Sequence, residues 1–152
     1  MGSSSPNRHH RVYDEVRRLW VSATPEELVR QHWLQRMIHH LHYPKELLVV
    51  EKEIKELPHL FGRSVPDRRI DIVCYGKADT LYPLMMIECK ASRLTSKAID
   101  QVIGYNHHVN AVVIGVVTLE QVQLGFFDAS RKKYEFYSVF PSFKELIEWG
   151  RP

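Results

Sequence analysis

Apolar positions along the chain switch between two periods. After Thr24-Pro25-Glu26-Glu27, residues Val29, Trp33, Met37 and Leu41 recur at helical spacing and predict a buried stripe. Thr24 suits the N-cap, Pro25 the first helical position, and Glu27 the closing residue of a capping box. The helix is predicted to run to about His42, where Tyr43-Pro44 stops it. Leu47 to Leu57 reads as a strand with Glu51, Glu53 and Lys55 on one side, and Pro58 to Arg69 as a loop. Ile70 to Tyr75 and Leu84 to Lys90 are apolar strands, joined by the turn-rich Gly76-Lys77-Ala78-Asp79-Thr80 into a hairpin.

Thr95 or Ser96 caps a second helix to about His108, with Ile99, Val102 and Ile103 inward. Ala111 to Thr118 is apolar and β-branched throughout, which marks a strand covered on both faces. Val122 to Phe127 and Lys133 to Val139 form a second hairpin around Asp128-Ala129-Ser130, and Ser142 caps a last helix ending near Trp149. Arg11 to Trp20 is short and ambiguous, and residues 1–10 read as a flexible terminus before one domain over 11–152. The expected architecture is an α/β (α+β) fold with a mixed sheet of five to six strands and helices on both faces. The helix at 96–108 carries the chain to a parallel strand. Trp20, Trp33 and Trp149 are expected in the core.

Composition narrows the function only slightly. An apolar content of 44% supports a real core, and the net charge of +3 permits a polyanionic partner without demanding one. Cys74 and Cys89 lie in apolar runs without metal-binding spacing, which argues against a zinc site and for a reducing, cytoplasmic setting. No apolar stretch approaches the roughly 20 residues of a membrane span.

The chemistry centres on Asp71 and, seventeen positions later, Glu88-Cys89-Lys90. Strand alternation points Glu88 and Lys90 the same way, and Asp71 can approach Glu88 across the hairpin. Two converging carboxylates repel, and a divalent cation resolves that repulsion; oxygen ligands favour Mg²⁺ or Mn²⁺. A neighbouring lysine can help orient a water and stabilise charge on a phosphate. The competing explanation, a charge pair on an edge strand, stands beside this one. Burial of Pro83-Leu84-Met85-Met86-Ile87 sharpens the first, since charges ending a core strand are costly unless paired.

Five segments in order, Thr24–Gln31, Tyr43–Glu51, Arg69–Val73, Leu84–Ala91 and Asp100–Asn106, resemble the N-terminal nuclease domain of type I restriction enzyme R subunits. That family belongs to the PD-(D/E)XK superfamily, whose members cut phosphodiesters with Mg²⁺. The resemblance implies Asp71 and Glu88 as metal ligands, the Cys89 backbone carbonyl as a third, and Lys90 as the group positioning the attacking water. Gln101 and Tyr105 match a Q-x-x-x-Y signature; their i, i+4 spacing sets both on one helical face, near substrate or the ligand shell. A helix-1 glutamate joins the metal shell in related nucleases. Glu27 matches it, and fits the capping box equally well.

Pro66-Asp67 spells the superfamily letters literally, yet Asp67 lies in a Pro-bounded loop, whereas Asp71 lies in the strand that would carry the ligand. Arg30, Arg63, Arg68, Arg69, Lys77, Arg93 and Lys97 are expected toward the same sheet end, as phosphate contacts or as a solvated rim; Arg69, Arg30 and Lys97 are the substrate-binding candidates. His39, His40 and His42 suit a helix C-terminus, as do His107 and His108. Val117-Thr118-Leu119-Glu120 departs from the family's Thr-Asn-Gly turn, which touches substrate contacts rather than the metal site. The leading expectation is a Mg²⁺-dependent nuclease acting on DNA or RNA, without a membrane association. A homodimer or a protein partner for targeting is compatible, since no phosphate loop or helicase motor is present. The alternative is a catalytically silent module that keeps the fold and binds nucleic acid or protein.

Overall fold

In the computed structural model, residues 10–76 and 82–149 are described. The expected link at 77–80, with Lys77, lies outside them, as does nearly all of the expected flexible terminus. The first structured element is one the sequence left ambiguous: β1 (Arg11–Asp14) and β2 (Leu19–Ser22) form a separate antiparallel hairpin. Its turn is held by Asp14 Oδ1, which accepts the N–H groups of Val16 and Arg17 at 2.8 Å each.

α1 (Pro25–His39) begins where predicted, with Thr24 Oγ1 accepting the Glu27 N–H at 3.2 Å. It ends three residues before the expected His42, which itself takes a left-handed backbone at φ 62°. β3 is Leu48–Glu53, shorter than the expected strand. Ile54–Glu56 and Pro58–Leu60 turn into 3₁₀ segments that bury Ile54, Leu57 and Leu60. The remaining elements are β4 (Arg69–Tyr75), β5 (Pro83–Cys89), α2 (Ser96–Val109), β6 (Val113–Val117), β7 (Val122–Asp128), β8 (Lys133–Tyr137) and α3 (Phe143–Trp149).

β3 to β8 lie in chain order in one six-stranded sheet. All neighbours are antiparallel except β5 and β6, which α2 joins as a parallel crossover. β5 and β6 are buried at every position, as the apolar run of β6 predicts. Strand alternation splits the core in two. Ile72, Cys74, Ile87 and Cys89 pack with Val29, Trp33 and Met37 of α1 and Phe143 and Leu146 of α3. Val73, Tyr75, Met86, Ile114 and Val116 pack with Ala98, Val102 and Val109 of α2.

Of the three tryptophans, only Trp33 is a core residue, donating its indole N–H to the Thr118 carbonyl at 2.7 Å. Trp20 is 62% exposed and Trp149 36%, against expectation. Thr118 builds the departing turn with its own hydroxyl, which accepts the N–H groups of Glu120 and Gln121. Among the described residues no helix is long and apolar enough to cross a membrane.

Candidate metal centre

The β4–β5 register pairs Ile72 with Ile87, and one further step along that ladder sets Asp71 opposite Glu88. Both side chains are buried, at 5% and 6% exposure. Asp71 Oδ2 accepts the Cys89 N–H at 2.7 Å, and the Asp71 N–H reaches Glu88 Oε1 at 3.4 Å. Burial, and then the negative charge of Asp71, hold the Glu88 carboxyl well above the ordinary range. Glu88 has no ion-pair partner among the described residues.

Asp71 does have one. Arg30 of α1, itself 5% exposed, places Nη2 on Asp71 Oδ1 and Nη1 on Glu27 Oε1, the latter at 2.8 Å. Glu27 further accepts from Arg17 Nη2 at 2.8 Å and from Gln31 Nε2 at 3.3 Å. Arg17 completes its fork on Asp14 Oδ2 at 2.7 Å and Glu51 Oε2 at 2.6 Å. Charges therefore alternate in space from Glu51 through Arg17, Glu27 and Arg30 to Asp71. Burial pushes the Glu27 carboxyl up, but hydrogen bonds from Arg17 and Arg30 outweigh it and leave Glu27 ionised below its ordinary value. The Nε of Arg30 is buried without a hydrogen-bond partner.

Glu27 thus does not close a capping box: Thr24 caps its N–H, but its carboxylate turns to the two arginines. Its neighbour Glu26, which sequence reasoning passed over, is exposed beside the centre. Burial first, then the charge of Asp71, raise its carboxyl, while Arg30 and Lys90 act in the opposite sense. A cavity of about 380 Å³ lies over this network, walled by Arg17, Thr24, Glu26, Glu27, Arg30 and Glu51. Asp14 and Arg17 were also passed over, because nothing local to their short segment announces a role.

Lys90 follows β5, with its backbone N–H on the Val117 carbonyl at 2.9 Å and its Nζ donating to Gln101 Oε1 of α2 at 3.2 Å. Its charge acts on Glu88, in the direction that favours the carboxylate. Tyr105, four residues after Gln101, instead packs half-buried against the α2-side core. Arg69 is exposed and reaches Glu51 Oε1 at 3.5 Å; Lys97, Arg63 and Arg93 are exposed. Arg30 is set apart from these surface cations by its buried pairings, so it is not a free phosphate contact in this arrangement. Asp67 is 81% exposed and lies 3.9 Å from Lys55. The Cys89 thiol is pushed well up by burial and points into the α1-side core, leaving only its carbonyl as a donor toward a cation.

The donor set suits a hard cation. Among the described residues no three His, Cys, Asp or Glu side chains converge as a metal cage. An ion would rest on Asp71, Glu88 and the Cys89 carbonyl, with water completing the shell. Mg²⁺ characteristically takes one or two carboxylates and keeps several waters.

A mixed sheet with an acid on one strand, and an acid and a lysine closing its antiparallel neighbour, defines a protein of the PD-(D/E)XK-like α/β class. The family described as the type I restriction enzyme R protein N terminus matches residues 25–141. The chain belongs to that family. No curated protein matches it.

Proposed function

We propose that the protein is a metal-dependent nuclease that hydrolyses phosphodiester bonds, with DNA as first substrate and RNA as second. The observation that carries this reading is the buried apposition of Asp71 and Glu88 at the strand end from which Lys90 emerges. Membership of a restriction-enzyme family supports action on nucleic acid. Asp71, Glu88 and the Cys89 carbonyl would hold Mg²⁺ or Mn²⁺, which when bound supplies an activated water and charge for the phosphate. Lys90, held by Gln101, orients that water and stabilises charge building on the phosphoryl oxygens. Arg30 holds Asp71 in place through Oδ1, leaving the remaining lone pairs of the carboxylate for a cation. Purified protein with Mn²⁺ or Mg²⁺ should nick plasmid DNA, and Lys90→Ala or Asp71→Ala should abolish nicking. Wild-type activity in both variants would place the chemistry elsewhere.

A second reading has its own observation. Because Arg30 already pairs with Asp71 and burial pushes Glu88 toward its uncharged form, much of the charge in the centre is balanced without metal. A non-catalytic module that binds nucleic acid or protein would keep this arrangement. Calorimetry separates the two: Mn²⁺ binding lost in Glu88→Ala supports the nuclease, and no Mn²⁺ binding by the wild type supports the module.

A further inference from the structure

The β1–β2 hairpin precedes residues 25–141, the part of the chain that the family accounts for. One of its cross-strand pairs is Tyr13 with Trp20, rings 5.4 Å apart and inclined at 60°. Tyr13 is 46% exposed and Trp20 62%. Two large rings packed side by side in water on one face of a short hairpin are costly for a free surface, and such exposed apolar groups mark binding sites. The unpaired charge of the hairpin is of one sign among the described residues. Asp14 is buried in its bond to Arg17, and Glu15 is taken up by His39 and Lys45. Arg11 and Arg18 are exposed and have no ion pair among the described residues. Between the hairpin and α1 a cavity of about 570 Å³ opens beside Tyr13, with Arg36 as its permanent cation and no acid in its described lining.

Exposed rings interleaved with unpaired arginines match the faces and backbone of an unpaired nucleic-acid strand. Bases stack on aromatic planes regardless of sequence, and arginines follow the phosphates. A duplex hides its base faces, so it gains little from Tyr13 and Trp20. We propose that the hairpin is a single-strand docking platform, stacking bases on Tyr13 and Trp20 while Arg11 and Arg18 hold the backbone. This rests on the reading that the substrate is a nucleic acid. It adds the strandedness and a second contact surface to that reading. The platform is coupled to the candidate centre, because Arg17 in its turn grips Glu27 and Glu51.

The test is a titration of the whole chain with oligothymidylate in EDTA, followed by tryptophan fluorescence and by anisotropy of a labelled strand. Quenching of Trp20 and saturable binding are expected, with duplex DNA of equal length binding more weakly. Trp20→Ala should weaken single-strand binding roughly tenfold or more and Trp20→Phe should restore most of it, as a stacking contact requires. Arg11→Glu with Arg18→Glu should flatten the salt dependence, and circular dichroism on each variant verifies the fold. Unchanged affinity in Trp20→Ala, or tighter binding of duplex, overturns the proposal. So does self-association that Trp20→Ala abolishes without any strand binding, which would assign the surface to a second copy. Because EDTA removes cleavage, absent nuclease activity leaves this result standing, and a failed titration leaves the metal centre untouched.

Discussion

The guanidinium of Arg30 and the carboxylate of Asp71 form an ion pair in which both side chains are buried, joining α1 to β4 across forty-one positions of sequence. Removing one partner of such a pair strands the other charge away from water. Arg30→Met is expected to cost about 3–5 kcal/mol in urea unfolding. Adding Asp71→Asn should recover part of the loss, the signature of a direct interaction. Arg30→Lys should rescue poorly, because one ammonium cannot hold Glu27 and Asp71 with a planar fork.

Glu88 predicts a pH dependence with a definite sign. Its carboxyl lies well above the ordinary 4.5, because of burial and then Asp71. The unfolded chain therefore loses this proton at lower pH than the folded protein does. The contribution is fully present below 4.5 and is lost as pH rises through the raised folded value. In metal-free urea titrations from pH 4.5 to mildly alkaline pH, Glu88→Gln should flatten the fall. On the nuclease reading, Mn²⁺ displaces the same proton, so calorimetric affinity should tighten with pH and proton release should accompany binding.

Arg17, held within the hairpin by Asp14, secures it to the domain through Glu27 and Glu51. Arg17→Ala should cost about 3 kcal/mol, the low end for a buried pair. The loss should be regional: hydrogen exchange should accelerate at residues 11–22, while β4, β5 and β6 stay protected.

Two glycines should respond oppositely to alanine. A Cβ on Gly125 in β7 would lie 2.1 Å from the Glu135 carbonyl oxygen of β8, a backbone atom with nowhere to go. Gly125→Ala should therefore destabilise by about 3 kcal/mol or more and loosen β8. At Gly104, inside α2, nothing lies within 4 Å, so Gly104→Ala should stabilise by about 0.5–1 kcal/mol through helix propensity. Thermal melts of the two variants should move in opposite directions.

Local pattern carried much of the fold. Thr24 caps α1 as the sequence announces, and of the two candidates Thr95 and Ser96 it is Thr95 that caps α2, because a cap needs only a side chain and an N–H three residues on. The unbroken apolar run at 113–117 specified a buried strand, and a helix between two such strands specified the parallel crossover. That Asp71 can approach Glu88 across the hairpin was legible as well, because β4 and β5 are consecutive strands, whereas the register that sets them opposite, with its shift between Cys74 and Tyr75, came only from the structure.

What sequence by itself determined is thus most of the elements from α1 onward, the parallel crossover through α2 and the strand end at which the acids and lysine gather. Tertiary structure alone decided how those groups are balanced. Glu27 carries the pattern of a capping box, yet its carboxylate serves Arg17 and Arg30. Arg30 resembled a surface cation and is buried on Asp71, whereas Trp20 resembled a core residue and stands in water. Period and propensity are properties of neighbours along the chain. The partner of a charge or a ring is set by which distant elements dock against it, and that is written only in three dimensions.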